Sequence, residues 1–141
     1  MRVRRFLLAL SLVGCSSDPP SELPCVQGLS ASCQAQYDPP TFATIHAKIL
    51  VPTCATGQGT CHTPDAAKGN LVLSDESQAY AMLKGENGAR ARVMASDPSC
   101  SLLMKRLMSK DPNVHMPKGP TSLSDGEICT ITQWIANGAP R

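Results

Sequence analysis

Cys61 is followed directly by His62, Cys54 precedes it with six residues between, and Met116-Pro117 lies further on, after His115. Two thiols, an imidazole and a thioether are soft or borderline donors, of the kind that suit a transition metal rather than a hard cation. If these groups act together, the fold must bring a loop near residue 60 and a segment near residue 116 to two sides of one site. No hydropathy pattern in the chain restricts the fold as much.

The order of these residues has a chemical reading. A Cys…Cys-His run with a distant Met-Pro is the order of a c-type haem site. There the two thiols bond to the haem edge, the adjacent His takes one face of the iron and the Met takes the other. The expectation is therefore haem c, with Cys54 and Cys61 as attachment thiols and His62 and Met116 as axial ligands. The usual attachment motif has two residues between its cysteines, which places the thiols one helical turn apart; six residues cannot keep that turn. Gly57 and Gly59 allow the extra residues to bulge outward, because glycine tolerates unusual backbone angles.

His115 is the alternative sixth ligand, but neighbouring side chains of an extended segment point in opposite directions, so only one of His115 and Met116 reaches the site. His46 reads as a structural histidine on the first helix, and Met82, Met94, Met104 and Met108 as core or surface residues. With both axial positions filled, no position is left for a substrate. The chain then reads as an electron carrier that works with redox partner proteins, and not as an enzyme. A second reading belongs to another class: a haem-less, disulfide-bonded binding or structural module closed by Cys54–Cys61. A third, zinc held by Cys54, Cys61, His62 and His115, suits the spacing poorly, since structural zinc sites use shorter cysteine separations. No nucleophile–base pair or paired carboxylates mark a hydrolase, and Gly57-Gln-Gly59 lacks the Lys-Ser/Thr of a phosphate loop.

Arg2, Arg4 and Arg5 precede an apolar run from Phe6 to Val13, which is too short to span a bilayer and reads as a signal-peptide core. The run ends in Leu12-Val13-Gly14-Cys15, similar to a bacterial lipobox. Residues 1–14 are therefore expected to be a lipoprotein signal peptide, with lipid on Cys15 anchoring the chain to a membrane of the cell envelope. The whole chain has 13 basic and 11 acidic residues, net +2. Removing the three arginines of the leader leaves a mature chain near neutrality, which argues against nucleic acid as a partner.

Of the seven cysteines, lipidation of Cys15 leaves an even set in an oxidising compartment. Cys25 and Cys33 are close in sequence and outside the expected core, so a local Cys25–Cys33 bridge is expected, leaving Cys100–Cys129 as the long-range pair. Residues 15–40, rich in Pro and Ser, read as a tether, and residues 41–141 as one small domain.

Four helices are predicted within that domain. The first runs from Thr41 to Leu50, with Phe42, Ile45, Ile49 and Leu50 at helical spacing, and is ended by Pro52. A short extended segment covers Asn70 to Leu73. The second helix starts near Ser74 or Asp75, carries Ala79, Met82 and Leu83, and stops at Gly85. The third is capped by Asp97 with Pro98 at its first position, and turns Leu102, Leu103 and Leu107 inward. The fourth opens on the capping box Ser124-Asp-Gly-Glu127, buries Ile128, Ile131, Trp134 and Ile135, and ends at Gly138 and Pro140. Beyond the tether only Phe42, Tyr80 and Trp134 are large aromatics, so the core is thin and calls for a staple or a cofactor.

Taken together, these residues resemble the small cytochrome c-like domains of myxobacterial and planctomycete envelope lipoproteins. The resemblance covers about Phe42 to Pro140. It is carried by Ile49-Leu50 and Pro52, Cys61-His62, Gly69-Asn-Leu71-Val-Leu73, Asp97-Pro98 with Ser101-Leu102-Leu103 and Arg106-Leu107, Met116-Pro117, Leu123-Ser124-Asp125, and Trp134-Ile135-Ala-Asn-Gly138-Ala139-Pro140. It implies an all-α, cytochrome c-like domain of about four helices with irregular loops, in the order of a class I cytochrome c.

Overall fold

The computed structural model describes residues 23–56 and 60–141. The leader, Cys15, the first part of the expected tether and the glycines Gly57 and Gly59 lie outside the described residues. Within them the chain is all-helical, with four α-helices joined by turns and short 3₁₀ segments and no strand.

Local signals set the helix ends. Helix α1 (Phe42–Ile45) starts at Thr41, whose side chain accepts from the Thr44 N–H. The predicted stop at Pro52 does not occur. The chain continues through π-helical turns from His46 to Ala55 with Pro52 inside them. Proline lacks a donor and crowds the carbonyl four residues back; the wider π register carries the helix past it. Cys54 therefore sits in the last helical turn rather than in the loop beyond.

Helix α2 (Glu76–Lys84) has Asp75 as its N-cap and Gly85, at φ +80°, as its left-handed C-cap. A Cβ at Gly85 would come within 2.8 Å of the Ala91 Cβ, so only glycine lets the chain turn back there. Helix α3 (Leu102–Leu107) begins later than predicted, after Ser101. Asp97 caps only an isolated turn, accepting from the Cys100 N–H. The buried Ser101 hydroxyl then donates to the Asp97 carbonyl and accepts from the Met94 N–H. Helix α4 (Asp125–Ala136) carries the full capping box of Ser124 and Glu127. Of the expected extended segment, Asn70 is left-handed at φ +52° and the chain is extended at Leu71, without pairing as a strand.

The core lies where α1 crosses α4. Phe42 and Trp134 rings are 5.3 Å apart, and Tyr80 from α2 meets Phe42 edge-on at 5.1 Å. Each polar tip is satisfied: Trp134 Nε1 donates to the Pro140 carbonyl and the Tyr80 hydroxyl to the Ala139 carbonyl. Ile45, Ile49, Leu83, Met104, Ile131 and Ile135 complete a buried cluster.

Two expectations for the N-terminal region are corrected. The disulfides are Cys25–Cys100 and Cys33–Cys129, with Cα separations of 4.4 and 5.8 Å, not Cys25–Cys33 and Cys100–Cys129. From Cys25 onward the expected tether is a strap bound to the domain. Its backbone donates from Val26 to the Ser99 carbonyl and from Gln36 to the Gly126 carbonyl. Gln133 on α4 reaches back to the carbonyls of Ala31 and Cys33. Gly126 makes this approach possible, since a Cβ there would sit 3.0 Å from Gln36 Cβ. Val26, Leu29 and Tyr37 pack against the core. Because the strap runs along the turn before α3 and along α4, Cys25 meets Cys100 in that turn and Cys33 meets Cys129 on α4. Among the described residues, no helix is long and apolar enough to cross a membrane.

Candidate functional site

A cavity of about 270 Å³ opens between the end of the π-helical segment, the loop after Cys61, the end of α2 and helix α3. Eight leucines wall it: Leu50, Leu71, Leu73, Leu83, Leu102, Leu103, Leu107 and Leu123. Cys54, His62 and Met116 line the same space. Three of the four residues predicted from widely separated parts of the chain thus meet at one apolar site.

His62 closes the 3₁₀ turn Thr60–His62. Its Nδ1 is 3.2 Å from the Leu71 carbonyl oxygen, and its own carbonyl accepts from the Leu73 N–H at 2.8 Å. A carbonyl can only accept, so the ring proton sits on Nδ1 and Nε2 keeps its lone pair. Burial lowers the imidazole pKa, opposed by the backbone carbonyls of Leu71 and Lys68 and assisted by the Arg92 charge. Neutral imidazole with a fixed tautomer is the form that binds a metal.

Met116 is tied to α3 by its N–H, which donates to the Arg106 carbonyl at 3.0 Å. The Arg106 guanidinium donates in turn to the Val114 carbonyl. His115 lines a separate surface hollow of about 310 Å³ with Ser109, Lys110, Pro112, Pro117, Lys118 and Gly119, and its Nδ1 is 2.9 Å from the Ser109 carbonyl oxygen. The two neighbours line different cavities, although the segment is a turn, with the His115 N–H donating to the Asp111 carbonyl, rather than the expected extended stretch. His115 is therefore no companion of His62, and the zinc set that needed both is not assembled. Among the described residues no group of three or more His, Cys, Asp or Glu side chains is placed to hold a metal. His46 is buried, with Nε2 2.9 Å from the Leu73 carbonyl oxygen, a structural role.

Cys54 and Cys61 are both free, so the bridge assumed in the haem-less alternative is not formed. Burial, and secondarily the nearby Cys61, push the Cys54 thiol up to about 11. Cys54 lines the cavity, whereas Cys61, in the middle of the Thr60–His62 turn, is not among the lining residues.

The sequence reading missed the cationic side of the site. Lys68, Arg90, Arg92 and Arg106 all line the cavity, and among the described residues no carboxylate does. Arg92 is buried and spends its donors on backbone carbonyls. The four are scattered from residue 68 to 106 on three structural segments. Only the alternation Arg90-Ala-Arg92 hints at two cations on one side of an extended stretch.

An all-helical domain in which the first helix packs on the last, with a His-bearing loop and a Met-bearing segment on one apolar cavity, has the arrangement of a cytochrome c-like domain. The match to known families agrees: residues 59–119 match the family model of planctomycete cytochrome C, a stretch that contains Cys61, His62 and Met116 and begins after Cys54. This part of the chain is thus similar to that family of cytochrome c-type domains. No curated protein and no solved structure matches it.

Proposed function

We propose that this protein is a haem c electron carrier of the bacterial cell envelope, held at a membrane by lipid on Cys15, with His62 and Met116 as the axial ligands. The observation that carries the reading is the convergence of Cys54, His62 and Met116 on one leucine-walled cavity. The donor chemistry fits the group. A neutral imidazole nitrogen and a thioether are the ligands of an electron-transfer haem, free thiols at Cys54 and Cys61 are the attachment form, and an apolar wall suits a macrocycle. Lys68, Arg90 and Arg106, with no carboxylate among the lining residues, suit the two acidic side arms of haem, while Arg92 is spent on backbone carbonyls.

Haem held there supplies one-electron transfer. The protein's part is to hold and tune it. His62 donates its Nδ1 proton to Leu71, which keeps the ring oriented and its Nε2 basic. Met116, a soft ligand, favours ferrous iron and a higher potential than a second His would give. The leucines exclude water, and Lys68, Arg90 and Arg106 would hold the carboxylates of the group. Held by His62 and Met116, such a group would pass electrons to partner proteins.

The test is an absorption spectrum of the protein made in a host equipped for haem attachment. A red product that keeps its haem in acid and organic solvent supports the reading. A colourless product overturns it.

A further inference from the structure

We propose that Arg92 is a positioning residue for His62, acting through the loop 69–71 whose last carbonyl fixes the imidazole proton. The inference rests on the reading of His62 as a ligand only for its purpose; the geometry concerns the chain's own atoms.

Arg92 is only 7% exposed. Its Nη2 donates to the carbonyls of Gly69 at 2.8 Å and Asn70 at 3.1 Å. Its Nη1 donates to the carbonyls of Met82 at 3.0 Å and Arg90 at 2.6 Å. The Arg92 backbone is held as well: its N–H donates to the Leu83 carbonyl, and its carbonyl accepts from the Leu103 N–H. One side chain therefore ties the loop after Cys61-His62 to the end of α2, on a residue itself fastened to α3. A planar guanidinium with a rigid fork of donors can do this; an ammonium on a flexible stem cannot reproduce it.

The loop needs such a hold. Ala67, Gly69 and Asn70 have φ of +37°, +66° and +52°. The left-handed region is unfavourable for residues with a Cβ and persists only where the surroundings enforce it. The two carbonyls gripped by Nη2 belong to two of these residues. The next carbonyl, that of Leu71, accepts from His62 Nδ1. Releasing the grip lets Asn70 leave the left-handed region, swings the following peptide, and frees the imidazole to carry its proton on either nitrogen.

The test is read in haem-free, disulfide-bonded protein, by nitrogen-15 NMR of the His62 ring at a pH where it is neutral. The wild type should show the Nδ1–H tautomer alone. Arg92→Met and Arg92→Lys should lose that single signature and give a mixture, and Asn70→Gly added to Arg92→Lys should recover part of it by easing the left-handed turn. Retention of the wild-type signature in either folded Arg92 variant overturns the proposal. So does failure of both to fold, which assigns Arg92 to folding alone. The haem reading is judged separately by the absorption spectrum, so the two can fail independently.

Discussion

The His62 Nδ1 atom and the Leu71 carbonyl oxygen lie 3.2 Å apart, and this contact decides which ring nitrogen is left with a lone pair. It joins two residues on either side of a loop, so the loop's shape controls the chemistry of the imidazole. Met116 is held differently, through its own N–H to Arg106 on α3. The two cavity residues thus belong to separately anchored segments, and their removal should have different consequences. His62→Ala should abolish maturation, yielding colourless protein. Met116→Ala should keep the haem and lower the potential by on the order of tenths of a volt, as a fraction of the range that axial ligands span. Redox titration of the coloured Met116 variant checks this; equal loss of colour in both variants would contradict it.

The half-buried Cys54 thiol should react slowly. With its pKa pushed up to about 11 from 9.0, mainly by burial, it is almost wholly protonated at pH 8. Only thiolate reacts with iodoacetamide. Alkylation of Cys54 in native haem-free protein should therefore be roughly a hundredfold slower than in the same chain unfolded in urea, where the thiol regains its ordinary pKa. Timed quenching and peptide mass spectrometry give both rates.

What could be read in the sequence divides by range. Helix α4 was legible because Ser124 and Glu127 hold its first turn within four residues, and α2 because Asp75 and Gly85 mark its two ends. The convergence of His62 and Met116 was legible because the order of donor types restricts what they can do. Cysteine pairing was not. Proximity in sequence favoured Cys25 with Cys33, but the hydrogen bonds that lay the strap along α4 join residues about a hundred positions apart, such as Gln133 and Cys33. The helix through Pro52 was missed for another reason: a helix can widen its register locally, and this choice leaves no mark in hydrophobic spacing. The cations around the cavity share one wall only after folding, so no local pattern announced them.

Acid should weaken the haem-free protein through His62. Its pKa is lowered in the folded state, chiefly by burial, so the unfolded chain takes up the proton first. Where the unfolded state binds more protons, stability rises with pH. This contribution is complete above about 6.5, the ordinary histidine value, and is lost as pH falls through the lowered folded value. Urea midpoints measured from pH 8 downward should decline below that point. His62→Gln should flatten this part of the decline; an unchanged slope in that variant would place the acid sensitivity elsewhere.

The lipid anchor at Cys15 is tested on the intact protein in a bacterial host. Cleavage after Gly14 and acylation of Cys15 should add the mass of a diacylglyceryl group and an amide-linked chain to a peptide that starts at Cys15. Cys15→Ser should abolish the added lipid mass, because the acceptor thiol is gone. An unmodified N-terminus at Cys15, or cleavage elsewhere, would remove the anchor from the proposal while leaving the cavity untouched.

The strap makes the last prediction. Cys25–Cys100 and Cys33–Cys129 close loops of 75 and 96 residues, so each restricts the unfolded chain considerably. Non-reducing digestion should recover these two pairs and no peptide linking Cys25 to Cys33. Replacing Cys33 and Cys129 together by serine should cost about 2–5 kcal/mol, the usual loss for a native bridge in a small secreted domain. That loss should exceed the cost of cutting the strap's hydrogen bonds singly, for example by Gln133→Ala, at about 1 kcal/mol. The contrast separates two roles for residues 25–40. If the strap merely rests on a domain that is stable by itself, the double serine variant and Gln133→Ala will melt close to wild type. If it is part of the fold, as its contacts with Ser99, Gly126 and Thr130 require, the double variant will melt well below both.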